Sequence, residues 1–199
     1  NAELSTSESC QLGIFWDLRG CRVPRGVPYD TVAANIKCFL TSHDIDERIT
    51  TFNVYGDASK LPQTFIKACN KTGIKIIDEK DKDSALRAML VDMVIYAIDS
   101  SSPFMVMHAI DPPPSKILLI SGRRSGDFFP LLCSLHTRWL RILLAVPNLK
   151  KTCPYMLRDF GKTMWEWSAM AMAGCAGQGQ LSSLQDSKSQ ALLRHEIPC

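Results

Sequence analysis

The sequence lacks a zinc-ligand spacing, a P-loop and an apolar run long enough to cross a membrane. Its eight cysteines and four histidines are scattered and no C-x-x-C pair occurs, so no zinc-ligand spacing is present. No apolar run is long enough to span a bilayer, and no internal repeat is found. No loop has the lysine and glycine spacing of a P-loop, which excludes a nucleotide triphosphatase of that type.

The composition is that of an ordinary globular domain. The 199 residues suffice for one hydrophobic core, and 46% of them are hydrophobic and 22% charged. Several cysteines lie in apolar runs, where cysteine behaves as a small hydrophobe, and the lack of a disulfide framework favours a reducing compartment. The net charge of +3 is too small to argue for or against nucleic acid by itself.

Short apolar runs alternate with segments of helical spacing, which predicts a mainly parallel sheet. The predicted strands are Leu12–Trp16, Ile49–Tyr55, Ile74–Ile77, Lys116–Ile120 and Arg141–Val146. The predicted helices are Tyr29–Thr41, Pro62–Cys69, Lys82–Asp99, Phe129–Leu135 and Met156–Met172. Right-handed crossovers between parallel strands would give a three-layer α/β/α sandwich.

We predict one domain over residues 12–174, with an N-terminal extension of residues 1–11 and a flexible tail of residues 175–199. The tail is rich in Gly, Gln and Ser, as linkers are, and it is a candidate site for protein partners. Helix Lys82–Asp99 is apolar almost all round, which predicts packing on two sides. Trp165 and Trp167 are interpreted either as rings on a basic stacking surface or as one core ring and one partly exposed ring.

Carboxylates at strand ends are candidate metal ligands. Asp17, Asp57 and Asp78 each follow a predicted strand, and the carboxyl ends of parallel strands meet at one sheet edge. Such oxygens suit Mg²⁺ or Mn²⁺, which can activate water for phosphodiester cleavage. The simpler alternative is that aspartate favours strand-to-loop turns, and Gly56-Asp57 in particular is typical of a turn.

Asp92 lies in the most apolar part of the long predicted helix. An unpaired buried carboxylate is costly, so Asp92 needs a partner, a metal or a proton if it faces the core. The alternative places Asp92 on a polar stripe with Asp99. Periodicity alone leaves both interpretations open.

The segment from Ser121 to Asp127 is a polar, glycine-containing loop after a strand. Its backbone N–H groups and the guanidinium groups of Arg123 and Arg124 could bind a phosphate. An exposed basic turn is the alternative, and the pattern favours neither.

The order of short motifs along the chain resembles that of NYN domains. The motifs are Phe15-Trp16-Asp17, Tyr55-Gly56-Asp57, Leu90-Val91-Asp92-Met93, Leu119-Ile120-Ser121-Gly122, Asp127-Phe128 and Leu143-Leu144-Ala145-Val146-Pro147. The likeness is greatest to the plant branch similar to the meiosis regulator and mRNA stability factor, or limkain, family. It implies a PIN-like fold and metal-dependent endoribonuclease activity on RNA, expected to be single-stranded, in the regulation of gene expression. It also implies the cytoplasm or nucleus, and it allows association with peroxisomes.

The resemblance implies a catalytic site in which Asp17, Asp92 and Asp127 hold Mg²⁺ or Mn²⁺. Asp17 matches the family's Asp after the first strand, and Asp92 matches the Asp inside the long helix. Asp127 matches the second Asp of the family's Ser-Gly-Asp-x-Asp-Phe motif, and Asp83 is a further candidate ligand. The candidate RNA-binding residues are Ser121, Gly122, Arg123 and Arg124.

The sequence departs from the family pattern at three places. The family commonly has Trp-Asp-x-Glu-Asn, whereas here Leu18-Arg19-Gly20 follows Asp17. Leu86 and Arg123 stand where the family commonly has Asp, and the loop before Asp127 is longer. Each lost carboxylate weakens the field that holds a cation, and an added guanidinium competes with it. Two hypotheses follow: an endoribonuclease with a partly degenerate acidic site, or a pseudonuclease that binds RNA or protein without cutting.

Overall fold

The computed structural model describes residues 10–100, 115–122, 127–137, 140–152 and 154–174. Within these residues six strands form one sheet, and all neighbouring strands are parallel. They are β1 (Gln11–Asp17), β2 (Arg48–Gly56), β3 (Lys75–Asp78), β4 (Lys116–Ile120), β5 (Arg141–Val146) and β6 (Met164–Glu166). The order across the sheet is β3-β2-β1-β4-β5-β6. The predicted α/β fold with a mainly parallel sheet is confirmed.

Helices cover both faces of this sheet. They are α1 (Val32–Thr41), α2 (Gln63–Thr72), α3 (Lys82–Ser100), α4 (Phe129–His136), α5 (Pro154–Phe160) and α6 (Trp167–Met172). Successive residues of a strand point to opposite faces, so Trp16 packs in a core with α1, α2 and α6. Phe15 packs in the other core, with α3, α4 and α5. Both side chains have no exposed surface, and burial of a large apolar side chain stabilises the fold by roughly 1.5–3 kcal/mol.

Beside β1, the direction in which the chain adds strands to the sheet reverses, although all the strands stay parallel. Strand β1 pairs with β2 on one side and with β4 on the other, so the chain leaves β1 toward one edge and later returns to fill the other. In open parallel sheets, ligands bind in the crevice beyond the carboxyl ends of the strands at such a point. Asp17 ends β1 there, and Ser121 directly follows β4. This sheet edge, formed by the loops that follow the strands, is called the carboxyl edge below.

The prediction of one helix over Met156–Met172 is wrong. The segment contains the end of α5, a 3-10 turn over Gly161–Thr163, strand β6 and then α6. Its apolar residues recur at helical spacing, which is why the sequence pattern indicated a helix. Parallel pairing of Met164 with Leu144 in β5 outweighs that local preference and adds an edge strand to the sheet.

Helix α3 packs on one side rather than two within the described part of the chain. Ala85, Met89 and Met93 are buried against the sheet. Val91, Val94, Ile95 and Ile98 are exposed on the opposite side. Helix α3 is therefore apolar all round, as its sequence indicates, but the predicted second packing partner is not among the described residues. Searching the described residues also finds no helix of the length and apolar content that crossing a membrane requires.

Candidate functional site

Asp17 is a buried carboxylate at the point where the strand order reverses. It is 1% exposed although it carries a carboxyl group. The backbone N–H of Arg19 donates to its Oδ1 atom over 3.1 Å, and the Ser121 hydroxyl donates to its Oδ2 atom over 3.4 Å. Because Ser121 follows β4, Asp17 links the ends of the two central strands. Burial raises the pKa of the nearby Cys21 thiol, and the charge of Asp17 raises it further.

Two glycines bring the loops after β1 and β4 together above Asp17. A Cβ atom at Gly20 would collide with the backbone nitrogen of Gly122 and lie 3.0 Å from Oδ2 of Asp17. A Cβ atom at Gly122 would lie 2.5 Å from the Gly20 carbonyl oxygen and 2.7 Å from Cγ of Pro147. Contacts this short exclude any side chain at either position without movement of the backbone. The close approach accounts for the burial of Asp17.

Asp92 is half-buried and hydrogen-bonded to strand β2. Its Oδ2 atom accepts a 2.7 Å bond from the Tyr55 hydroxyl and a 3.1 Å bond from the Asn53 amide. Burial, and next the bond to Asp92, raises the pKa of the Tyr55 phenol, so Tyr55 remains a donor. Of the two interpretations of Asp92, the structure supports a carboxylate with specific protein partners.

Asp92 lines a groove that leads away from Asp17. The groove has a volume of about 270 Å³, and its walls include Gln11, Thr50 and Tyr96. Gln11 begins β1 whereas Asp17 ends it, and seven strand residues span roughly 20 Å. Among the described residues that line the groove, Asp17 is absent. Asp17, at the end of β1, and Asp92, in α3, therefore have different surroundings.

The other acids matched to the family pattern are exposed. Asp127 lies shortly before α4, and Asp83 lies in the first turn of α3. The backbone N–H of Asp83 donates to the Asp81 carboxylate, which caps that turn. Leu86, which occupies a position where the family commonly has an acid, packs against the core beneath α3. Arg123 and Arg124 lie outside the described residues, so the predicted role of their guanidinium groups stays a prediction.

Asp57 and Asp78 have the partners expected of turn residues. Asp57 accepts from the Ser59 backbone N–H over 3.1 Å and pairs with the Lys60 ammonium over 2.8 Å. The bonds from Lys60 and then Ser59 lower the pKa of Asp57 to about 2. Asp78 accepts from the Ala58 N–H over 2.8 Å, which ties the loop after β3 to the loop after β2. Both acids are engaged in local structure.

The described side chains do not form a divalent-cation site by themselves. No group of three or more His, Cys, Asp or Glu residues in the described ranges is placed to hold a metal ion. Asp17 is enclosed by backbone, Asp92 accepts from two neutral donors of β2, and Asp127 is exposed. The donor set of the described residues therefore does not fit Mg²⁺ or Mn²⁺. The assignment of Asp17, Asp92, Asp127 and Asp83 as ligands stays a prediction.

Positive charge is concentrated on one part of the carboxyl edge. The loop after β1 exposes Arg19, Arg22 and Arg25 and carries no acid between residues 18 and 28. The loop after β5 adds exposed Lys150 and Lys151. We call these five residues the basic edge. Arg19 also donates from Nη2 to the Glu79 carbonyl oxygen over 2.9 Å and to the Lys80 carbonyl oxygen, which holds the arginine loop against the loop after β3.

The sequence analysis did not identify two sets of residues, and it interpreted one pair of rings correctly. Arg22 and Arg25 lie in a Pro/Gly loop, whose pattern predicts only a turn, although three arginines within seven residues and no acid are a visible signal. Tyr55 and Asn53 were not identified as partners of Asp92, because only the strand register brings them to α3. Trp167 is 3% exposed and Trp165 is half-buried, which matches the interpretation of one core ring and one partly exposed ring.

Comparison with protein families identifies the architecture. The profile described as NYN domain matches residues 11–158, which is most of the chain. The chain belongs to the NYN domain family. This NYN domain accordingly has a PIN-like nuclease fold and an association with RNA, and nucleases of this group generally use divalent metals. A search of curated proteins found no match to the chain.

Proposed function

We propose that this NYN domain binds single-stranded RNA and acts in RNA metabolism and the regulation of gene expression without cutting the strand. It would be a pseudonuclease, a domain of nuclease ancestry that retains the RNA-binding surface. One observation carries the proposal: at the same sheet edge, the central carboxylate Asp17 is enclosed while the arginines beside it are exposed. An edge of this kind attracts phosphate more readily than a cation.

The basic edge supports binding of a phosphate backbone. Arginine presents a planar fork of N–H donors that matches phosphate oxygens, and exposed arginines keep that fork available. Arg22 and Arg25 are exposed without an acidic residue in their loop. The loop after β4, with Ser121, Gly122 and the predicted RNA-binding residues Arg123 and Arg124, begins beside it because β4 neighbours β1. RNA bound here would cross the end of the sheet.

The acidic side of the edge supports the loss of cleavage. Metal-dependent hydrolysis requires several carboxylates around one cation, and the cation would need to reach Asp17. The close approach of Gly20 to Gly122 covers Asp17. Leu86 places an apolar side chain at a position where the family commonly has an acid. Each of these features removes part of the negative field that a cation needs.

A metal-dependent endoribonuclease is the second candidate function. It is favoured by the position of Asp17 at the reversal of the strand order and by Asp127 beyond the loop after the neighbouring strand β4. In this candidate, Asp17, Asp92 and Asp127, with Asp83, would hold Mg²⁺ or Mn²⁺. Cleavage by this route would require the four acids to lie closer together than they do in the structure.

The finer relationships of the chain are also proposals. We assign it to the plant branch similar to the meiosis regulator and mRNA stability factor, or limkain, family, on the motifs quoted from its sequence. A place in the cytoplasm or nucleus, with association with peroxisomes as an alternative, follows from that assignment. The same holds for protein partners bound through residues 175–199.

Calorimetric titration with Mn²⁺, combined with a cleavage assay on labelled single-stranded RNA, tests the proposal. The chain is compared with Asp17→Asn, which keeps an oxygen for the Arg19 N–H, and circular dichroism confirms that both are folded. We expect RNA binding in both proteins, no saturable Mn²⁺ heat and no cleavage. Mn²⁺ binding and cleavage that are both present and both lost in Asp17→Asn would establish the nuclease instead.

A further inference from the structure

Helix α3 exposes an apolar face that points away from the core. The exposed fractions are 55% for Val91, 37% for Val94, 49% for Ile95 and 66% for Ile98. Their spacing of i, i+3, i+4 and i+7 places all four on one side of the helix. Scattered apolar residues on a surface are normal, whereas four in one stripe mark an interaction surface. We call these four residues the α3 stripe.

Opposite charges lie at the two ends of the α3 stripe. Arg87 is exposed one turn before Val91. Within the described residues, its Nη2 atom donates one hydrogen bond, to the hydroxyl of half-buried Ser84. Asp99 is exposed directly after Ile98. The stripe is therefore positive toward the start of the helix and negative toward its end.

This charge order is complementary to itself when two copies of the helix run antiparallel. Pairing two α3 helices about a two-fold axis at the level of residue 93 sets Val91 opposite Ile95 of the second copy. The same register sets Arg87 opposite Asp99 of the second copy, and the axis repeats both pairs. An isologous interface requires such self-complementarity, because each residue meets its own partner type twice. A parallel arrangement would instead set like charges side by side.

We propose that the α3 stripe is a self-association surface, and that its occupant is α3 of a second copy of this chain. The contact closes by two-fold symmetry with four apolar residues from each copy and two Arg87–Asp99 pairs. One pair of helices buries less than about 1,200 Å², so the dimer belongs to the class of weak, concentration-dependent contacts. The carboxyl edge of each sheet stays outside this interface, because α3 runs from that edge toward the amino ends of β1 and β2.

Sedimentation velocity on the full chain, from low micromolar to several hundred micromolar protein, tests the proposal. We expect a monomer–dimer equilibrium in the unchanged chain. Ile98→Lys should weaken it at least about tenfold, since it places a charge in an apolar contact. Lys67→Glu, an exposed charge reversal on α2, is the control and should leave the equilibrium unchanged.

Reversing the charges of Arg87 and Asp99 gives the decisive test. Arg87→Glu should set two acids against each other and Asp99→Arg two arginines, so each single variant should weaken the dimer several-fold. The double variant Arg87→Glu with Asp99→Arg should restore the original constant, because it restores opposite charges across the axis. A chain that stays monomeric at every concentration overturns the proposal. That result is expected if residues 101–114 cover the stripe. A dimer that ignores Ile98→Lys, or a double variant that fails to recover, also overturns it.

Discussion

The Tyr55 hydroxyl donates a 2.7 Å hydrogen bond to the Asp92 carboxylate and so joins strand β2 to helix α3. Asn53 donates to the same oxygen from the same face of the strand, and it also donates to the Tyr55 oxygen over 3.2 Å. The three side chains form a closed polar network in the layer between the sheet and the helix. A half-buried acceptor is thereby satisfied by two neutral donors, which avoids the cost of burying it unpaired.

Removal of the Tyr55 hydroxyl should destabilise the domain. Tyr55→Phe keeps the ring in the core but leaves Asp92 with one donor fewer, at a cost of about 1–3 kcal/mol in the free energy of unfolding. Urea denaturation monitored by circular dichroism measures the change. Tyr29→Phe is the matched control, because no bond from its hydroxyl to the described part of the chain is found and its ring stacks edge-on with Phe65. If both variants lose the same small amount, the network has no net effect on stability.

Substitution of Gly20 should be costly for steric reasons alone. Gly20→Ala places a methyl group against the Gly122 backbone and near Asp17, and forced overpacking of this kind costs about 1–3 kcal/mol. Gly161→Ala is the control, because nothing lies within 4 Å of a Cβ atom there. Thermal unfolding of the two variants provides the comparison. Equal melting temperatures would show that the loops after β1 and β4 separate easily. A cation could then reach Asp17.

Much of the fold could be predicted because its signals are local. The run Ile14-Phe15-Trp16 has no exposed side chain on either face, as expected of a central strand in a parallel sheet covered on both sides. Gly73 ends α2 with a φ of 73°, which glycine adopts without strain. Strand β6 could not be predicted in this way, since Met164 joins the sheet only through its pairing with Leu144, far away in the sequence.

The candidate site was only partly predictable for a similar reason. The position of Asp17 at the carboxyl edge follows from the end of an apolar run and the polarity of a parallel sheet. Its enclosure depends on the meeting of Gly20 and Gly122, two loops about a hundred residues apart, and no local pattern encodes that distance. The need of Asp92 for a partner was visible in the sequence, whereas the identity of Tyr55 required the register of β2 against α3.

The turn formed by Asp57 should lose its contribution to stability in acid. The pKa of Asp57 is about 2 in the folded protein against an ordinary value of 3.8, chiefly because Lys60 bonds to the ionised form. A lowered folded-state pKa stabilises the fold above pH 3.8, and that contribution is lost as pH falls toward 2. The difference in unfolding free energy between the chain and Asp57→Asn should therefore shrink over that range. Lys60→Met should flatten the same acid limb; a pH profile unchanged by either variant would contradict the assigned pair.

The basic edge should determine how RNA binding depends on salt. If Arg22 and Arg25 each hold one phosphate, replacing both with Ala should reduce the slope of log affinity against log salt by about 1.4, since each contact to a single strand releases roughly 0.7 of a counterion. Affinity for any single-stranded sequence should fall several-fold, because phosphate contacts carry no base preference. Fluorescence anisotropy with labelled single-stranded RNA at several salt concentrations measures both quantities.

The matched control for this experiment lies at the opposite edge of the sheet. Arg48 and Arg141 are exposed where β2 and β5 begin, so replacing both with Ala removes the same charge from a surface that the proposed RNA path does not cross. We expect this pair to leave the slope nearly unchanged, apart from a small effect of net charge. Equal losses for the two pairs would mean that RNA responds to the overall charge of the domain. A loss confined to Arg22 and Arg25 would instead locate the phosphate backbone beside the enclosed Asp17.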